Sequence, residues 1–401
     1  IRDSRKGSDW YVGCLNAGEP RSLQVRLGFL PAGAVYDAHI YRDDPTVDTR
    51  TKVGIERRKV ESTMTLEAAL GPRGGMAIRL VDRQVAPPLV HPGLLHSREE
   101  IALVKAKIAA GESPWAEAWK KLREHELSRL DRKPKPRAAI VRGAYNNPNI
   151  GANSLMEDGA SAYAHALQWC LTGRQEHAEK AREILNAYAS TVKSVGGHDG
   201  RLLVGMAGIK YLNAAELLRH TWDGWPTTEQ ERFETLLRDV LYPVIEDFYP
   251  TANGNWDAAM IQTMLAMGVF LDDREMFQRA VDYYLHGEGN GAVRKYINEF
   301  GECQESGRDQ AHTQMGLGYL GCAAEIAWKQ GVDLYGAYDN RLALGYEYTA
   351  KYNLGHKVPY EPYHSHDGRY HYPGISEKGR GRFSSIYERV YHHFHDRMGL
   401  E

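Results

Sequence analysis

The stretch "RQVAPPLVHPG", residues 83–93, divides the chain into two parts whose hydrophobic residues follow different periods. Its three prolines fix the backbone and remove hydrogen-bond donors, which is typical of a linker between domains. We place the linker at residues 85–95. The sequence therefore predicts a first domain over residues 1–84 and a second over residues 96–401.

Six segments before the linker are predicted β-strands. They are short, rich in β-branched and aromatic residues, and often alternate between apolar and polar positions. Turn-forming sequences such as "NAGEP" and "GPRGG" separate them. Short strands at near-regular spacing are typical of an antiparallel β-sandwich. The predicted strands are residues 9–15, 22–30, 35–44, 51–60, 62–70 and 74–82.

After the linker, the hydrophobic period becomes helical. The segment "SREEIALVKAKIAAG" begins with Ser97, a predicted N-cap, and places acidic residues in the first turn. Further helical segments follow, many with alanine and glycine on the faces that would contact a neighbour. They recur as helix pairs of roughly 30 to 45 residues, the length of an α-hairpin. The second domain is therefore predicted to be an all-α ring, an α/α toroid.

Composition and motifs exclude several classes of function. With 50 basic and 52 acidic residues, the net charge of −2 gives no reason to expect a nucleic-acid partner. No run of about 18 apolar residues predicts a membrane span. The four cysteines show neither C-x-x-C nor zinc-ligand spacing, and either buried thiols or a disulfide would fit them. Nucleotide-binding and metalloprotease motifs are missing, so we expect no cofactor and no metal.

The stretch "ECQESGRDQAHTQMGLGYL", Glu302–Leu320, concentrates polar groups before a glycine-rich apolar run. If it forms one helix, Arg308 and His312 share a face one turn apart, and Asp309 can orient the His312 ring. The glycines that follow allow close packing, which predicts an interior helix. Buried arginine and histidine need partners or a wet cleft. The stretch is thus either the wall of an active site or a satisfied buried ion pair.

The stretch "NGNWDAAM", residues 253–260, lies at a predicted loop-to-helix junction. Asn255 is either the N-cap of that helix or an amide that binds a substrate carboxylate. Trp256 is suited to stacking on the face of a sugar. Both interpretations of Asn255 remain open at this point.

The loop "YNNPNIGAN", residues 145–153, supplies the amides of Asn146, Asn147 and Asn149. Amide side chains of this kind bind sugar hydroxyls, and they also build ordinary turns. The sequence alone does not separate these two roles.

The segment "YHSHDGRYHY", residues 363–372, is polar and aromatic. Tyr363, His364 and Arg369 fit a loop that binds a saccharide. Its H-x-H spacing also occurs in zinc sites, although no third ligand is fixed by the sequence.

Three motifs together resemble a known family. "NIGANSLMEDGASAYAHALQWCLTG", "NGNWDAAM" and "GRDQAHTQMGLG" occur in order, and the likeness extends over about residues 90–400. The chain resembles the alginate-lyase-like polysaccharide lyases, in particular family 38 of those enzymes. The resemblance implies an α/α toroid that cleaves an acidic polysaccharide, alginate or glucuronan, by β-elimination. An exported enzyme, secreted or periplasmic, is therefore expected, with its signal peptide outside this sequence.

Residues 1 to about 82 are similar to the C-terminal β-domain of family 97 glycoside hydrolases, through "GSDWYVGCLNAGEPRSLQVRLGFLPAGAVYDAHIYRDD" and "PRGGMAIRL". The barrel that carries the chemistry of those enzymes has no counterpart here. We therefore expect no hydrolase activity from this domain.

The resemblance also implies roles for individual residues. Related lyases carry an Asn-His pair, whereas here Trp256 follows Asn255. His312 would then transfer a proton, with Arg308 and Asn255 on the substrate carboxylate. The predicted catalytic set is Arg308, His312, Asn255 and Tyr363, the tyrosine being favoured over Tyr211 and Tyr319. The predicted substrate-binding set is Trp256, Asn146, Asn147, Asn149, Tyr211, Gln304, His364 and Arg369.

Two other functions fit the same pattern. A toroid that has lost its proton-transfer pair would bind glycans without cleaving them, and Trp256 in the place of a histidine motivates that alternative. A toroid that uses two carboxylates, such as Asp257 and Glu305, would be a glycoside hydrolase.

Overall fold

Residues 1–88 and 89–401 form separate units in the computed structural model, which describes residues 1–3, 9–47, 52–82 and 88–400. All six strands that the sequence predicted are present in the first unit, together with a short strand at its start. The strands are β1 Arg2–Asp3, β2 Trp10–Leu15, β3 Arg21–Arg26, β4 Val35–Asp43, β5 Val53–Glu61, β6 Thr65–Leu70 and β7 Gly75–Asp82.

The first unit is a sandwich of two antiparallel sheets, as predicted. One sheet has the strand order β1-β2-β7-β4-β5, and the other pairs β3 with β6. Alternate residues of β6 and β7 are buried, among them Leu66 and Leu70 on one sheet and Ile78 and Leu80 on the other. These side chains belong to one core, because a strand has a period of two and each sheet turns one face inward.

The predicted linker lies only partly within the described residues. Residues 83–87 lie outside the described residues. The segment 89–95 belongs to the second unit, where Gln330 Oε1 accepts the N–H of Val90 at 2.8 Å. Glu216 and Asn213 accept the N–H groups of Gly93 and Leu95, at 3.0 and 3.2 Å. Side chains of the helical unit thus take up backbone donors of this segment and hold it in place.

The second unit consists mainly of helices. Ser97 caps the first of them through a capping box with Glu100, as its sequence predicts. The helices are α1 Arg98–Ala109, α2 Trp115–Glu124, α3 Ala152–Thr172, α4 Gln175–Thr191, α5 Gly200–Thr221, α6 Thr227–Thr235, α7 Tyr242–Ile245, α8 Gly254–Phe270, α9 Arg274–His286, α10 Val293–Tyr296, α11 Gln310–Lys329, α12 Ala337–Asn353 and α13 Tyr387–Tyr391. Short 3₁₀ segments occupy Glu126–Ser128 and Ala144–Asn146, and π-helical segments occupy Leu236–Leu241 and His392–Arg397.

Five short strands lie between the helices. They are β8 Ala139–Arg142, β9 Asn149–Ile150, β10 Ser194–Gly196, β11 Tyr363–His364 and β12 His371–Tyr372. β8 pairs with β10 in parallel and with β9 antiparallel, while β11 and β12 form a hairpin. The small sheet places Arg142 beside the loop that precedes α5.

The helices form an inner and an outer layer. α3, α5, α8 and α11 pack on one another in succession, and α4, α9 and α12 lie against α3, α8 and α11. Two inner helices, α5 and α8, are buried on almost every side; in α8, Trp256 alone is partly exposed. Such all-round burial explains why their sequences are apolar and rich in alanine and glycine. No helix in the described part of the chain is both long and apolar enough to cross a membrane.

The glycines of α11 allow close packing, as the sequence predicted. A Cβ added at Gly316 would overlap the ring and hydroxyl of Tyr296, and one at Gly321 would lie 2.6 Å from the hydroxyl of Tyr346. Both tyrosines are buried and donate hydrogen bonds to backbone carbonyls of α11. Glycine at these positions therefore lets two aromatic rings lie directly on the helix backbone.

We expect Gly316→Ala to lower the free energy of unfolding by about 1–3 kcal/mol, because Tyr296 must move to admit the methyl group. Urea denaturation measures the change. Gly200→Ala is the control, because no described atom lies within 4 Å of its added Cβ. If Gly316→Ala is as stable as this control, the close packing of Tyr296 on α11 is wrong.

Candidate active site

The N-terminal turns of three inner helices meet at one end of the ring. The rings of His198, just before α5, and Trp256, in the first turn of α8, are in edge-to-face contact with centroids 6.0 Å apart. Asn255, also in that turn of α8, bonds to Glu305 in the loop before α11. We call the partly exposed side chains at this junction the ring-end site: Arg142, His198, Trp256, Arg308, His312 and Tyr319.

Glu305 is the buried centre of this junction. Its side chain is fully buried, and Oε1 accepts hydrogen bonds from Arg308 at 2.6 Å and from the Asn255 amide at 2.8 Å. Oε2 accepts the backbone N–H of Asn255 at 3.0 Å and the hydroxyl of Tyr296 at 3.4 Å. A buried carboxylate is tolerated when it is paired and hydrogen-bonded in this way. Glu305 therefore joins the start of α8 to the turn that carries Arg308.

The start of α8 differs from one of the sequence interpretations. The helix begins at Gly254, so Asn255 lies inside its first turn and is not the N-cap. Gln304 Oε1 accepts the N–H of Gly254 at 2.7 Å, and Glu305 accepts the next one. Side chains from a distant loop thus satisfy the free N–H groups that every helix leaves at its N-terminus.

These hydrogen bonds occupy two side chains, Gln304 and Asn255, that the sequence predicted to contact the substrate. Gln304 is 1% exposed, and its amide nitrogen donates to Asn253 at 3.0 Å, so both polar atoms of the side chain are used inside the protein. Asn255 donates its amide to Glu305, and its Oδ1 is buried without a partner among the described residues. That free atom is an acceptor, which suits a hydroxyl group and not a carboxylate. The structure gives Gln304 and Asn255 the role of positioning Glu305 and α8.

Arg308 lies in a turn and not in a helix. The predicted single helix through residue 308 is wrong, because α11 begins at Gln310 with Asp309 as its extended N-cap. The Arg308 side chain is 29% exposed and is anchored by Glu305 through Nη1. Burial opposes the charge, but the attraction of Glu305 outweighs it and raises the pKa of Arg308. Arg308 thus keeps a fixed positive charge on a partly exposed side chain.

Asp309 and His312 form a hydrogen-bonded dyad at the start of α11. Oδ1 of Asp309 accepts the backbone N–H of His312 at 2.9 Å. Nδ1 of His312 lies 2.8 Å from Oδ1 and 2.7 Å from Oδ2 of Asp309, which is the contact that the i, i+3 spacing predicts. Burial opposes ionisation of Asp309, but the hydrogen bonds from His312 prevail and lower its pKa. A carboxylate only accepts hydrogen bonds, so a neutral His312 carries its proton on Nδ1. The lone pair is then on Nε2, in a ring whose side chain is 33% exposed.

His312, Met315 and Tyr319 form the partly exposed stripe of α11 in its N-terminal half. They are spaced i, i+3 and i+7, which places them on one helix face. Burial raises the pKa of Tyr319, and the nearby Arg142 guanidinium opposes the rise. The Tyr319 hydroxyl has no hydrogen-bond partner in the described part of the chain, and it faces the same side of the helix as His312.

A second dyad lies at the start of α5. His198 Nδ1 is 2.6 Å from Asp199 Oδ1, and Asp199 Oδ2 is 3.7 Å from Arg142 Nε. Arg142 Nη1 is buried and has no partner among the residues described. The His198 side chain is 64% exposed and contacts Trp256. A histidine therefore stands next to Trp256 in space, although the sequence has none after Asn255.

The predicted tyrosines fall in different places. Tyr363 donates its hydroxyl to Asn290 Oδ1 at 2.9 Å, so that hydroxyl is already engaged. Tyr211 is 2% exposed and packs on Tyr188, with ring centroids 5.1 Å apart. Tyr211 therefore lies in the core and not on the substrate surface, because its ring fills the space over a glycine of α3. The Tyr211 hydroxyl has no hydrogen-bond partner among the described residues either, but it is buried. Of the three candidates, Tyr319 combines an unpartnered hydroxyl with a partly exposed side chain.

The hairpin β11–β12 contributes one residue that the sequence interpretation missed. Tyr372 pairs with Tyr363 across the hairpin and donates its hydroxyl to Asn253 at 3.0 Å. Burial and then the Glu305 charge raise the pKa of Tyr372 to about 12, while Arg308 opposes the rise. Tyr372 therefore borders Arg308.

Other predicted residues of the hairpin are exposed. His364 stacks on His371 with centroids 4.3 Å apart, and Arg369 pairs with Asp367 at 3.4 Å. Among the described residues, the hairpin histidines do not form a group of three potential metal ligands.

The asparagines of the loop 145–153 bond mainly to one another. Asn149 donates to Asn146 at 2.9 Å and to Asn153 at 2.7 Å, and its Oδ1 accepts the first N–H of α3 at 3.1 Å. Asn147 precedes Pro148 in the same exposed loop, which follows directly on Arg142. The loop is thus a capping turn that borders the ring-end site.

A cavity adjoins the Asp309–His312 dyad at Asp309. Asp309, Lys378, Arg382 and Phe383 are among the residues that line it. Lys378 Nζ lies 3.7 Å from Asp309 Oδ2, and the large side chain of Phe383 is 49% exposed. The cavity therefore offers cations and an aromatic face next to the dyad.

The two carboxylates of the hydrolase alternative are not available to a substrate. Asp257 is fully buried, and it accepts the N–H of Tyr249 at 2.6 Å and the hydroxyl of Tyr283 at 2.9 Å. Burial raises the pKa of Asp257 to about 6. Both carboxylate oxygens of Glu305 are likewise occupied by hydrogen bonds within the protein. Neither group can reach a glycosidic bond, which removes the geometric basis of that alternative.

Comparisons with known proteins agree with this architecture. Residues 105–358 match the family model described as alginate lyase, and residues 2–81 match the model described as glycosyl-hydrolase 97 C-terminal, oligomerisation. No curated protein matches the chain significantly.

Solved structures show the same fold for the helical unit. The alginate lyase A1-III of Sphingomonas species A1 superposes with a TM-score of 0.58, over 79% of this chain and 91% of that one, at 14% identity. An alginate lyase of Bacteroides ovatus gives a TM-score of 0.51 over 66% of this chain and 84% of that one, at 14% identity. These likenesses confirm the predicted α/α toroid.

A glycoside hydrolase family 97 enzyme of Pseudoalteromonas sp. strain K8 is 33% identical over 20% of this chain. The chain spans 13% of the length of that enzyme, and the TM-score is 0.18.

Proposed function

The chain belongs to the alginate lyase family, and on that premise we propose that it is a polysaccharide lyase that cleaves a uronate polymer by β-elimination. The observation that carries the proposal is the Asp309–His312 dyad beside Arg308, which Glu305 holds in place. The dyad leaves a free base, and the arginine supplies a fixed cation. Removal of a proton next to a carboxylate requires both.

Arg308 is proposed to bind the carboxylate of the uronate. The proton on C5 is weakly acidic because the neighbouring carboxylate is negative, and pairing that carboxylate with a cation lets negative charge develop on C5. The N-terminal ends of α5, α8 and α11 meet at the same place, and their dipoles also favour an anion. Arg142, with its unpartnered Nη1, is a second cation for the same group or for the next uronate.

His312 is proposed to act as the general base through Nε2. It takes the C5 proton, the electron pair forms the C4–C5 double bond, and the bond from C4 to the leaving oxygen breaks. Asp309 fixes the ring and stabilises the imidazolium that forms. The leaving oxygen then needs a proton from a neutral acid.

Tyr319 is proposed to supply that proton. Its raised pKa keeps the hydroxyl protonated near neutral pH, and the hydroxyl is free. Side chains on a helix lean toward its N-terminus, so the Tyr319 hydroxyl extends toward His312 from two turns further along α11. This assignment replaces Tyr363, whose hydroxyl is bound to Asn290.

The surroundings of the dyad suit a polymer. Trp256 and His198 contact each other at the ring-end site, and Lys378 and Phe383 line the cavity next to Asp309. Aromatic faces stack on sugar rings, and cations bind further carboxylates along an acidic chain. We therefore propose an acidic polysaccharide, alginate or glucuronan, as the substrate, and a secreted or periplasmic location for the enzyme.

Incubation with alginate and glucuronan should produce the ultraviolet absorbance of an unsaturated uronate, and His312→Ala should lower kcat by about 10²–10⁴-fold because the base is lost. His395→Ala is a matched control, because His395 is exposed and its Nδ1 also contacts an aspartate, Asp396, at 2.7 Å. The control should keep wild-type activity.

Three results would contradict this proposal. Full activity of His312→Ala would remove the base that we assign. Reducing ends without the unsaturated product would indicate a hydrolase. Polymer binding without cleavage would indicate the glycan-binding alternative. A protein that only binds glycans would have no need of the two Asp–His dyads.

For the acid, Tyr319→Phe should lower kcat at least 100-fold with little change in KM, because the leaving oxygen loses its proton donor. Tyr363→Phe and Tyr211→Phe should retain most of kcat. The same kinetic assay on these three variants and on Tyr372→Phe decides the assignment. If Tyr363→Phe or Tyr372→Phe abolishes turnover while Tyr319→Phe does not, the acid lies on the hairpin.

A further inference from the structure

Three potential metal ligands converge at the end of α5 that is remote from the ring-end site. Ligand atoms of His91, Glu216 and His220 all lie within 4.8 Å of one another. Glu216 and His220 are four residues apart on α5, so they share one helix face. Because an α-helix rises 1.5 Å per residue, Glu216 lies about 24 Å along the helix axis from Gly200 at the start of α5. The group is therefore separate from the chemistry proposed above.

His91 is brought to α5 by the segment that enters the helical unit. Gln330 and Asn213 bind the backbone of that segment, and Gly93 donates its N–H to Glu216 Oε1 at 3.0 Å. The rings of His91 and His220 stack with centroids 4.4 Å apart. Two elements distant in sequence, the segment 89–95 and α5, thus place two imidazoles against one carboxylate.

The hydrogen bonds present leave two ligand atoms without a partner. Glu216 is 1% exposed, and its Oε1 accepts bonds from His91 and Gly93. Glu216 Oε2 and His220 Nε2 are buried and form no hydrogen bond with any residue that the structure describes. Buried polar atoms are nearly always satisfied, so this pair calls for a group between them.

Asp272 orients His91 as an outer carboxylate does in many metal centres. His91 Nε2 lies 3.2 Å from Asp272 Oδ1, which directs Nδ1 toward Glu216. Metal-bound histidines commonly donate their second ring N–H to a carboxylate, which fixes the tautomer and the ring orientation. Gly93 likewise orients Glu216, because its N–H donates to Oε1 and leaves Oε2 facing His220.

An ion pair alone does not account for these atoms. A protonated His91 between Glu216 and Asp272 would satisfy both ring nitrogens. It would still leave Oε2 of Glu216 facing Nε2 of His220 at 3.6 Å, too far apart for a good hydrogen bond. A bound cation would satisfy the carboxylate oxygen and the imidazole nitrogen together.

We propose that His91, Glu216 and His220 bind one divalent transition-metal ion, with zinc as the preferred ion. Two imidazoles and a carboxylate form a donor set that suits Zn²⁺ and that Mg²⁺ and Ca²⁺ disfavour. Its role is structural, because it joins the segment 89–95 to α5 far from the proposed base. The ion would stabilise the folded helical unit, since a ligand that binds only the folded state shifts the folding equilibrium.

The test uses the full chain, stripped with a chelator and titrated with Zn²⁺, and with Co²⁺ as a spectroscopic probe. Elemental analysis should find one equivalent of zinc after desalting, the Co²⁺ form should show the absorption of a four-coordinate site, and Tm should rise by several degrees on adding Zn²⁺. His220→Gln should lose the equivalent and the rise in Tm. Asp272→Asn should weaken zinc binding about 10–100-fold, as for other outer-shell carboxylates.

Asp272 is largely exposed, so Asp272→Asn decides the matter even if His220→Gln fails to fold. The control is His392→Ala combined with His395→Ala, which removes an exposed pair of histidines beside Asp396. The control should bind zinc as the wild type does. The proposal is overturned if the wild type binds no zinc, if the control loses it, or if Asp272→Asn binds it with wild-type affinity.

Discussion

The buried bond between Glu305 and Arg308 is the interaction on which the proposed active site depends. Glu305 has no exposed surface, so its charge must be compensated inside the protein, and Arg308 provides the compensation at 2.6 Å. The same carboxylate satisfies N–H groups at the start of α8 and accepts the hydroxyl of Tyr296. One side chain thereby fixes the position of a helix, a turn and a cation.

The constraint extends along α11. Tyr296 can lie against α11 because Gly316 has no side chain. The single proton of its hydroxyl is shared between the Thr313 carbonyl of that helix, at 3.0 Å, and Glu305 Oε2, at 3.4 Å. The turn that presents Arg308 leads directly into the N-cap Asp309, which holds His312. The charge that binds a carboxylate and the base that removes a proton are therefore positioned by one continuous, buried network. A site held in this way needs little reorganisation when substrate binds.

The fold was predictable from the sequence because its signals are local. Alternation marks the strands of the sandwich, prolines mark the boundary, and Ser97 with Glu100 marks a helix start. The Asp309–His312 contact was predictable for the same reason, since it joins residues three apart. Local spacing also misled in one place, because it extended a helix over Arg308 that the N-cap Asp309 excludes.

The rest of the site depends on contacts between residues far apart in the chain. Nothing in the stretch "AIVR" shows that the charge of Arg142 acts on Tyr319, and nothing next to Asn255 shows that His198 lies against Trp256. Gln304 and Tyr211 have residue types common in sugar sites, yet tertiary packing buries both. The position of Tyr372 was only weakly indicated by the sequence, because the symmetric segment "YHSHDGRYHY" places it opposite Tyr363 in a hairpin.

The most direct test of the Glu305–Arg308 network is a double-mutant cycle in substrate binding. Calorimetry in an inactive His312→Ala background would give the Kd of a uronate oligosaccharide for Glu305→Gln, for Arg308→Ala and for both changes together. The network predicts that Glu305→Gln weakens binding about tenfold when Arg308 is present and hardly at all when it is absent, a coupling of about 1.4 kcal/mol. Additive losses would contradict it, because Glu305 and Arg308 would then contribute to substrate binding independently.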